Sequence, residues 1–219
     1  MGNIQKELIQ EMEDPKFREK YENACLIVRS KLEEVNYEIS QQKGWDYMND
    51  ISYRVKTPQS CLKKMVKKGY PLNMESAKEH LNDIAGVRAV CYFLDDVYQL
   101  ADILIQYEPF TFIKSKDYIK KPKSSGYQSL HLILAVPVGE EQVKVEIQIR
   151  TQAMDFWSDI EHRFIYKTEY QDLSEYEEEF IKVSKSLKKI DKQMLKIRRK
   201  MQESGIEFMA SHLPDKGSY

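Results

Sequence analysis

The chain has 219 residues, 42% of them hydrophobic and 32% charged, and its formal net charge is −1. A chain of this length folds around one core with extensions and needs neither a disulfide nor a metal staple, because it buries roughly 70% of its unfolded surface. No apolar run approaches the ~18 residues of a membrane span, the opening stretch MGNIQKELIQEMEDPKF has no signal-peptide h-region, and Lys6 stands where a myristoylation motif beginning at Gly2 needs Ser or Thr.

The balanced charge by itself argues neither for nor against a nucleic-acid partner, so the placement of each sign carries the argument. Cys25, Cys61 and Cys91 are scattered, odd in number and set among apolar residues. That is the pattern of buried free thiols in a reducing, cytoplasmic compartment. With no Cys-x-x-Cys pair and four scattered histidines, zinc has no support.

In chain order, Asp14-Pro15 supplies an N-cap and a helix-compatible first residue. Phe17, Tyr21, Ala24, Val28, Leu32, Val35 and Ile39 then recur at three- and four-residue steps, which predicts a long helix closed by Gly44. A short helix follows between Thr57-Pro58 and Gly69. Gly86 to Leu94 is a compact apolar run that predicts a buried strand, and Asp95-Asp96 open a helix carrying Val97, Leu100, Ala101 and Leu104. Phe110 to Tyr118 predicts another strand, and IKKPKSSG (119–126) has the composition of a loop.

Tyr127 to Val136 alternates, with Leu130, Leu132, Leu134 and Val136 on one face and Ser129 and His131 on the other. A turn at Gly139-Glu140 leads into the clearest strand, with Val143, Val145, Ile147 and Ile149 opposite Lys144, Glu146, Gln148 and Arg150. A helix starts at Thr151, with Ala153, Trp157, Ile160 and Phe164 as its buried stripe.

The C-terminal segment opens on a capping box, Ser174 and Glu177. Tyr176, Phe180, Val183, Leu187, Ile190, Met194, Ile197 and Met201 then keep a heptad spacing. Residues 169–179 carry six acids and no base, whereas 182–200 carry nine bases and one acid, a gradient that complements the helix dipole. Such a stripe packs either against another copy of the chain or against the N-terminal helix of the same chain. The fold class is therefore α/β (α+β), a mixed sheet flanked by helices. Residues 1–44 form an N-terminal helical segment, 45–168 the sheet domain, and 169–219 a C-terminal helical segment for oligomerisation.

Three features carry candidate chemistry. Asp83 sits just before the buried strand in LNDIAGVR, where Gly86 would allow close backbone approach; a helix or turn cap is the alternative. Asp83 and Glu146 near one sheet suit magnesium, a hard cation that takes one or two carboxylates and substrate phosphates. Lys114, Lys116, Lys120, Lys121 and Lys123 face only Asp117, five bases against one acid, and Arg54, Lys56, Lys63, Lys64, Lys67 and Lys68 form a second cationic group. Such groups are either solvated edges that deter strand aggregation or phosphate contacts. No GxxxxGK[ST] cradle is present, so bound phosphates would be neutralised by side chains and metal. In PKSSGYQSLH, Gly126 permits a tight turn. Tyr127 is either a core tyrosine or a platform for stacking a base, and His131 either a structural histidine or a phosphate or ribose contact. His162 reads as a structural bond.

YRVK (53–56), DIAGVR (83–88), KSKDYIKKPKSSGYQSLH (114–131) and EIQIRTQAMDFWSDIEH (146–162) together resemble the synthetase domain of RelA/SpoT-type alarmone synthetases, in order and with the family's spacing. The resemblance spans about residues 50–170. There is no His-Asp dipeptide of the kind the family's hydrolase half uses, so the chain resembles a stand-alone small synthetase. The resemblance implies a nucleotidyltransferase-like fold and transfer of the β,γ-pyrophosphate of ATP to the 3′-hydroxyl of GTP or GDP, giving (p)ppGpp and AMP, with Mg2+ as cofactor. It implies Asp83 and Glu146 as catalytic, magnesium-binding carboxylates. Arg54 and Arg88 would sandwich adenine, and Lys56 and Lys116 would join the ATP contacts. Tyr127 would stack on guanine, Lys123 and His131 would contact the acceptor's phosphates, and Gln148 and Asp155 would lie beside the acceptor nucleoside. Asp155 stands where some relatives have asparagine. The resemblance also implies a homotetramer built through terminal helices, and some small members respond to single-stranded RNA. Two other readings share these residues: a pyrophosphokinase acting on adenine nucleotides or the tRNA 3′ end, and a non-catalytic RNA-binding module.

Overall fold

A computed structural model describes residues 2–166 and 174–206. Its centre is a five-stranded mixed sheet in the order β1-β2-β5-β4-β3. The strands are β1 (Met48–Val55), β2 (Ala85–Cys91), β3 (Thr111–Asp117), β4 (Leu130–Val138) and β5 (Glu141–Thr151). Only the β2–β5 pair is parallel. The mixed α/β class read from the sequence is the observed one.

The helices form where caps and periodicity place them. α1 (Asn3–Glu13) precedes α2 (Pro15–Lys43), whose Asp14 cap accepts the Lys16 N–H at 2.8 Å and which ends on Gly44 at φ 75°. Tyr21, Ala24, Val28, Leu32, Val35 and Ile39 are buried as their spacing predicts. They share one core with Val143, Val145, Ile147 and Ile149 of β5. The alternation of β5 therefore commits its other face to something else. α3 (Pro58–Lys68) runs from the Thr57 cap to Gly69, α4 (Met74–His80) follows, and α5 (Leu94–Gln106) packs on β5, β4 and β2. Cys25, Cys61 and Cys91 are free and buried, and burial raises all three thiols, Cys25 and Cys61 to about 11.

α6 (Gln152–Glu161) leaves β5 through the Thr151 cap and runs into one π-helical turn, His162–Tyr166. Its buried residues are Met154 and Trp157; Ala153 and Ile160 are half-buried, and Phe164, predicted on the stripe, is 63% exposed. Gly86 also departs from expectation. A Cβ there would meet Arg54 O at 3.8 Å and Glu146 O at 4.0 Å, ordinary contacts, so no neighbouring backbone demands glycine.

The last helix, α7 (Ser174–Glu203), packs on α6 and α5. The proposed cap at Ser174 involves a side chain outside the described residues. The heptad stripe points outward: Tyr176, Val183, Ile190, Met194 and Ile197 are exposed. A second heptad row, Ser184, Asp191 and Arg198, is buried against the body. The apolar stripe therefore makes no hairpin with the N-terminal helix among the described residues; the polar row seats the helix together with half-buried Phe180, whose ring meets Trp157, and Leu187.

Candidate active site

Strand register builds the site. Ser52, Arg88, Gln148, His131 and Lys116 are paired residue to residue across β1, β2, β5, β4 and β3. Paired residues project to the same side of a sheet, so five separated segments contribute to one polar line. The neighbouring line holds Arg54, Gly86 and Glu146. Gly86 has no side chain, and the space beside Glu146 is part of an open cleft of about 620 Å3.

Asp83 lies just ahead of β2 and Lys56 just after β1, and the antiparallel pairing makes them neighbours. Lys56 Nζ donates to Asp83 Oδ2 at 2.7 Å, and Lys64 of α3 lies 2.7 Å from Oδ1. Burial raises the Asp83 pKa, but the two ammonium groups outweigh it and hold the carboxyl below the usual range. Glu146 shows the same balance. Burial pushes it up, while His131 Nδ1 at 3.3 Å and Gln148 Nε2 at 2.9 Å bring it below the ordinary value. Both carboxylates line the cleft in ionised form.

This donor set suits magnesium better than a metal held in an all-protein cage. No cluster of three or more His, Cys, Asp or Glu side chains is arranged to hold a metal among the described residues. Two ionised carboxylates leave the remaining positions to water and phosphate oxygens, the common arrangement for magnesium. The two ammonium groups on Asp83 show that this point attracts positive charge.

The other wall is aromatic and cationic. Lys123 Nζ lies 4.5 Å from the Tyr127 ring centre and 4.9 Å from that of Tyr118. The Tyr127 hydroxyl is 2.9 Å from His131 Nε2 and accepts from Arg150 Nη2 at 3.1 Å. The ring is therefore fixed at its polar tip. Arg150 also donates to Gln148 and, at 3.3 Å, to Asp155.

Of the residues singled out from the sequence, Arg54, Asp83, Arg88, Lys116, Lys123, Tyr127, His131, Glu146 and Gln148 line this one cleft. Lys56 reaches it through Asp83. Asp155 does not line it; its Oδ1 lies 3.2 Å from Arg88 Nη1 and 3.3 Å from Arg150 Nη1, so it orients two cations. Lys64, from the second cationic group, also lines the cleft, and sequence reasoning missed Tyr118 and Arg150. Arg150 had a visible signal, its place on the polar face of β5. His162, read as structural, lies on the cleft wall beside Ser158 and Asp159.

Residues 53–171 match the family model described as the region found in RelA / SpoT proteins. The chain belongs to the RelA/SpoT family. It is 36% identical over 185 residues to the GTP pyrophosphokinase YwaC of Bacillus subtilis (strain 168), which covers 83% of this chain and 88% of that protein. It is 33% identical over 192 residues to YjbM, another GTP pyrophosphokinase of that organism, over 86% of this chain and 90% of that one. Among solved structures, small alarmone synthetase 1 from Bacillus subtilis bound to its product pppGpp superposes with a TM-score of 0.80 at 31% identity, covering 87% of this chain and 99% of that one. Small alarmone synthetase 2 from the same organism gives a TM-score of 0.74 at 36% identity, over 83% and 96% of the two chains.

Proposed function

We infer that this RelA/SpoT-family chain is a GTP pyrophosphokinase of the stringent response, a synthetase that transfers the β,γ-pyrophosphate of ATP to the 3′-hydroxyl of GTP or GDP, makes (p)ppGpp and releases AMP. The observation that carries the residue-level reading is the shared cleft. Two ionised carboxylates, Asp83 and Glu146, face cations drawn from every strand except β4, with Tyr127 at one side.

The residue roles are those the family resemblance implies, and the chemistry of the transfer agrees with them. The 3′-oxygen of the acceptor forms a bond to the β-phosphorus of ATP as that phosphorus loses its bond to the oxygen bridging to the α-phosphorus, and AMP departs with the electron pair. Such a transfer depends on alignment and on charge stabilisation. Arg54 and Arg88 bracket the adenine, and Lys56 and Lys116 contact the ATP phosphates. Lys123 and His131 take the acceptor's phosphates, Tyr127 stacks on guanine, and Gln148 and Asp155 order the nucleoside end. Asp83 and Glu146 would hold Mg2+, which when bound would offset the charge of the triphosphate. The acceptor hydroxyl gives up its proton as the new bond forms, and Glu146, on the polar face of β5, is the carboxylate to which this reading assigns that proton.

Catalysis belongs to the segment 45–168, since the cleft is lined by residues between Ser52 and His162. The exposed apolar stripe of α7 supports self-association, as a tetramer through the terminal helices. No helix among the described residues is long and apolar enough to cross a membrane, and three buried free thiols support a reducing, cytoplasmic setting. The test is purified protein with labelled ATP and Mg2+ against GTP, GDP, ATP and tRNA in turn. AMP and a 3′-pyrophosphorylated guanosine nucleotide in equal amounts are expected. A labelled tRNA or adenine product without a guanosine one would overturn the acceptor assignment.

A further inference from the structure

Tyr127 and Lys123 sit on the connection between β3 and β4, a segment rich in lysine, serine and glycine with little apolar content to hold it. What holds it comes from outside the cleft. Gly126 has φ 95° and lies directly on α7: a Cβ there would come within 3.1 Å of Ser184 Cβ and 3.3 Å of Ile181 Cα. Ser184 Oγ donates to Gly126 O at 2.6 Å and accepts from Gln128 Nε2 at 2.9 Å. At the other end of the segment, Lys188 Nζ donates to Ile119 O at 2.7 Å. Gln128 and Ser184 are 5% and 4% exposed, so these bonds form away from competing water.

The segment passes this restraint inward. Gly126 N–H donates to Lys123 O at 2.9 Å, and Lys123 N–H to Tyr127 O at 3.2 Å. Fixing Gly126 therefore fixes the backbone of both cleft residues. Ser184 and Lys188 themselves lie outside the cleft lining.

We propose that Ser184, together with Lys188, is a positioning residue for the acceptor nucleotide: α7 clasps the 119–128 segment and thereby sets Lys123 and Tyr127. The proposal rests on the assignment of those two residues to the acceptor. It predicts a selective defect. Loosening the clasp leaves the ATP contacts of β1 and β2 untouched and makes acceptor binding bear the ordering of the segment.

The experiment compares Ser184→Ala and the double variant Ser184→Ala/Lys188→Ala with the unaltered protein. GTP is varied at saturating ATP, then ATP at saturating GTP. The double variant loses the two neutral hydrogen bonds of Ser184 and the charge-assisted one of Lys188; with only part of that stabilisation spent on ordering the segment for the acceptor, the KM for GTP should rise roughly tenfold, while the KM for ATP and kcat stay within about twofold. Amide hydrogen exchange over 119–128 should quicken. Ser186→Ala removes an exposed hydroxyl two residues along, bonded to Lys182 O, and should change nothing. A fall in kcat with both KM values intact would reveal general structural support and overturn the proposal. Tyr127→Ala is run in parallel. If it raises the GTP KM and the clasp variants do not, the clasp is wrong and the acceptor assignment stands. If it leaves the GTP KM unchanged, the acceptor assignment falls and takes the proposal with it. Ser184→Ala alone removes a single oxygen and serves where the double variant does not fold.

Discussion

The molecule buries carboxylates in two places and treats them oppositely. In the cleft, Asp83 and Glu146 are held below their usual pKa although burial works against them. Along the inner side of α7, Asp191 is raised and Asp96 is pushed up to about 6, with burial as the leading cause at both. The difference lies in the donors. Asp83 has an ammonium on each oxygen, and Glu146 an imidazole and an amide. Asp191 has one hydroxyl, from Thr151 at 2.7 Å. Asp96 has Arg198 at 2.8 Å but shares it with Asp95, whose negative charge raises Asp96 further. The cleft carboxylates are kept charged by two donors each, whereas those beneath α7 are left nearer balance.

The signs for stability follow. The cleft pair stabilises the fold above the unfolded carboxylate values near ~4 and loses that contribution as pH falls through the lower folded values. Asp96 runs the other way: its contribution is complete below ~4 and fades as pH rises to about 6.

The sharpest way to break this contrast is at the cleft. Glu146→Ala or Asp83→Ala should lower kcat by more than ~10²-fold, since charge stabilisation worth several kcal/mol is removed, with the chain still folded by far-UV circular dichroism. Near-normal AMP release from Glu146→Ala would show the pair to be structural. Arg198→Ala should do the reverse. It strands Asp96, which is 1% exposed, and should destabilise the protein by about 3–5 kcal/mol at pH 8 in urea titrations. Part of that loss should return at pH 5, where Asp96 takes up a proton; equal losses at both pH values would remove Asp96 as the cause. Tyr127→Ala should weaken acceptor binding by roughly 1–3 kcal/mol, read as the GTP Kd by calorimetry. Smallest in fold stability is the outer surface of α7. Ile190→Asp with Ile197→Asp should shift unfolding by no more than about 0.5 kcal/mol while sedimentation shows a smaller assembly. An unchanged sedimentation profile would mean that the exposed stripe does not hold copies together.

Much of this was legible in the residues. The strict alternation of β5 separated core from cleft, and the caps at Asp14, Thr57 and Thr151 marked helix starts. β1 was not legible, because Asn49 and Asp50 interrupt its alternation, and the Lys56–Asp83 neighbourhood exists only once β1 pairs with β2. α4 was hidden by its seven-residue length. For α7 the spacing left two packings open, and the exposed apolar row removes the intrachain hairpin; the buried row of Ser184, Asp191 and Arg198 gave no signal, because patterning ranks polar positions as solvent-facing.

Gly86 has one more lesson. A methyl group would fit there without collision, and glycine inside a strand sacrifices roughly 0.5–1 kcal/mol relative to alanine, so glycine at this position works against the sheet. An alanine would give a sturdier protein with less room at its working end. The vacancy is the asset, and a protein engineered only for heat resistance would be apt to fill it.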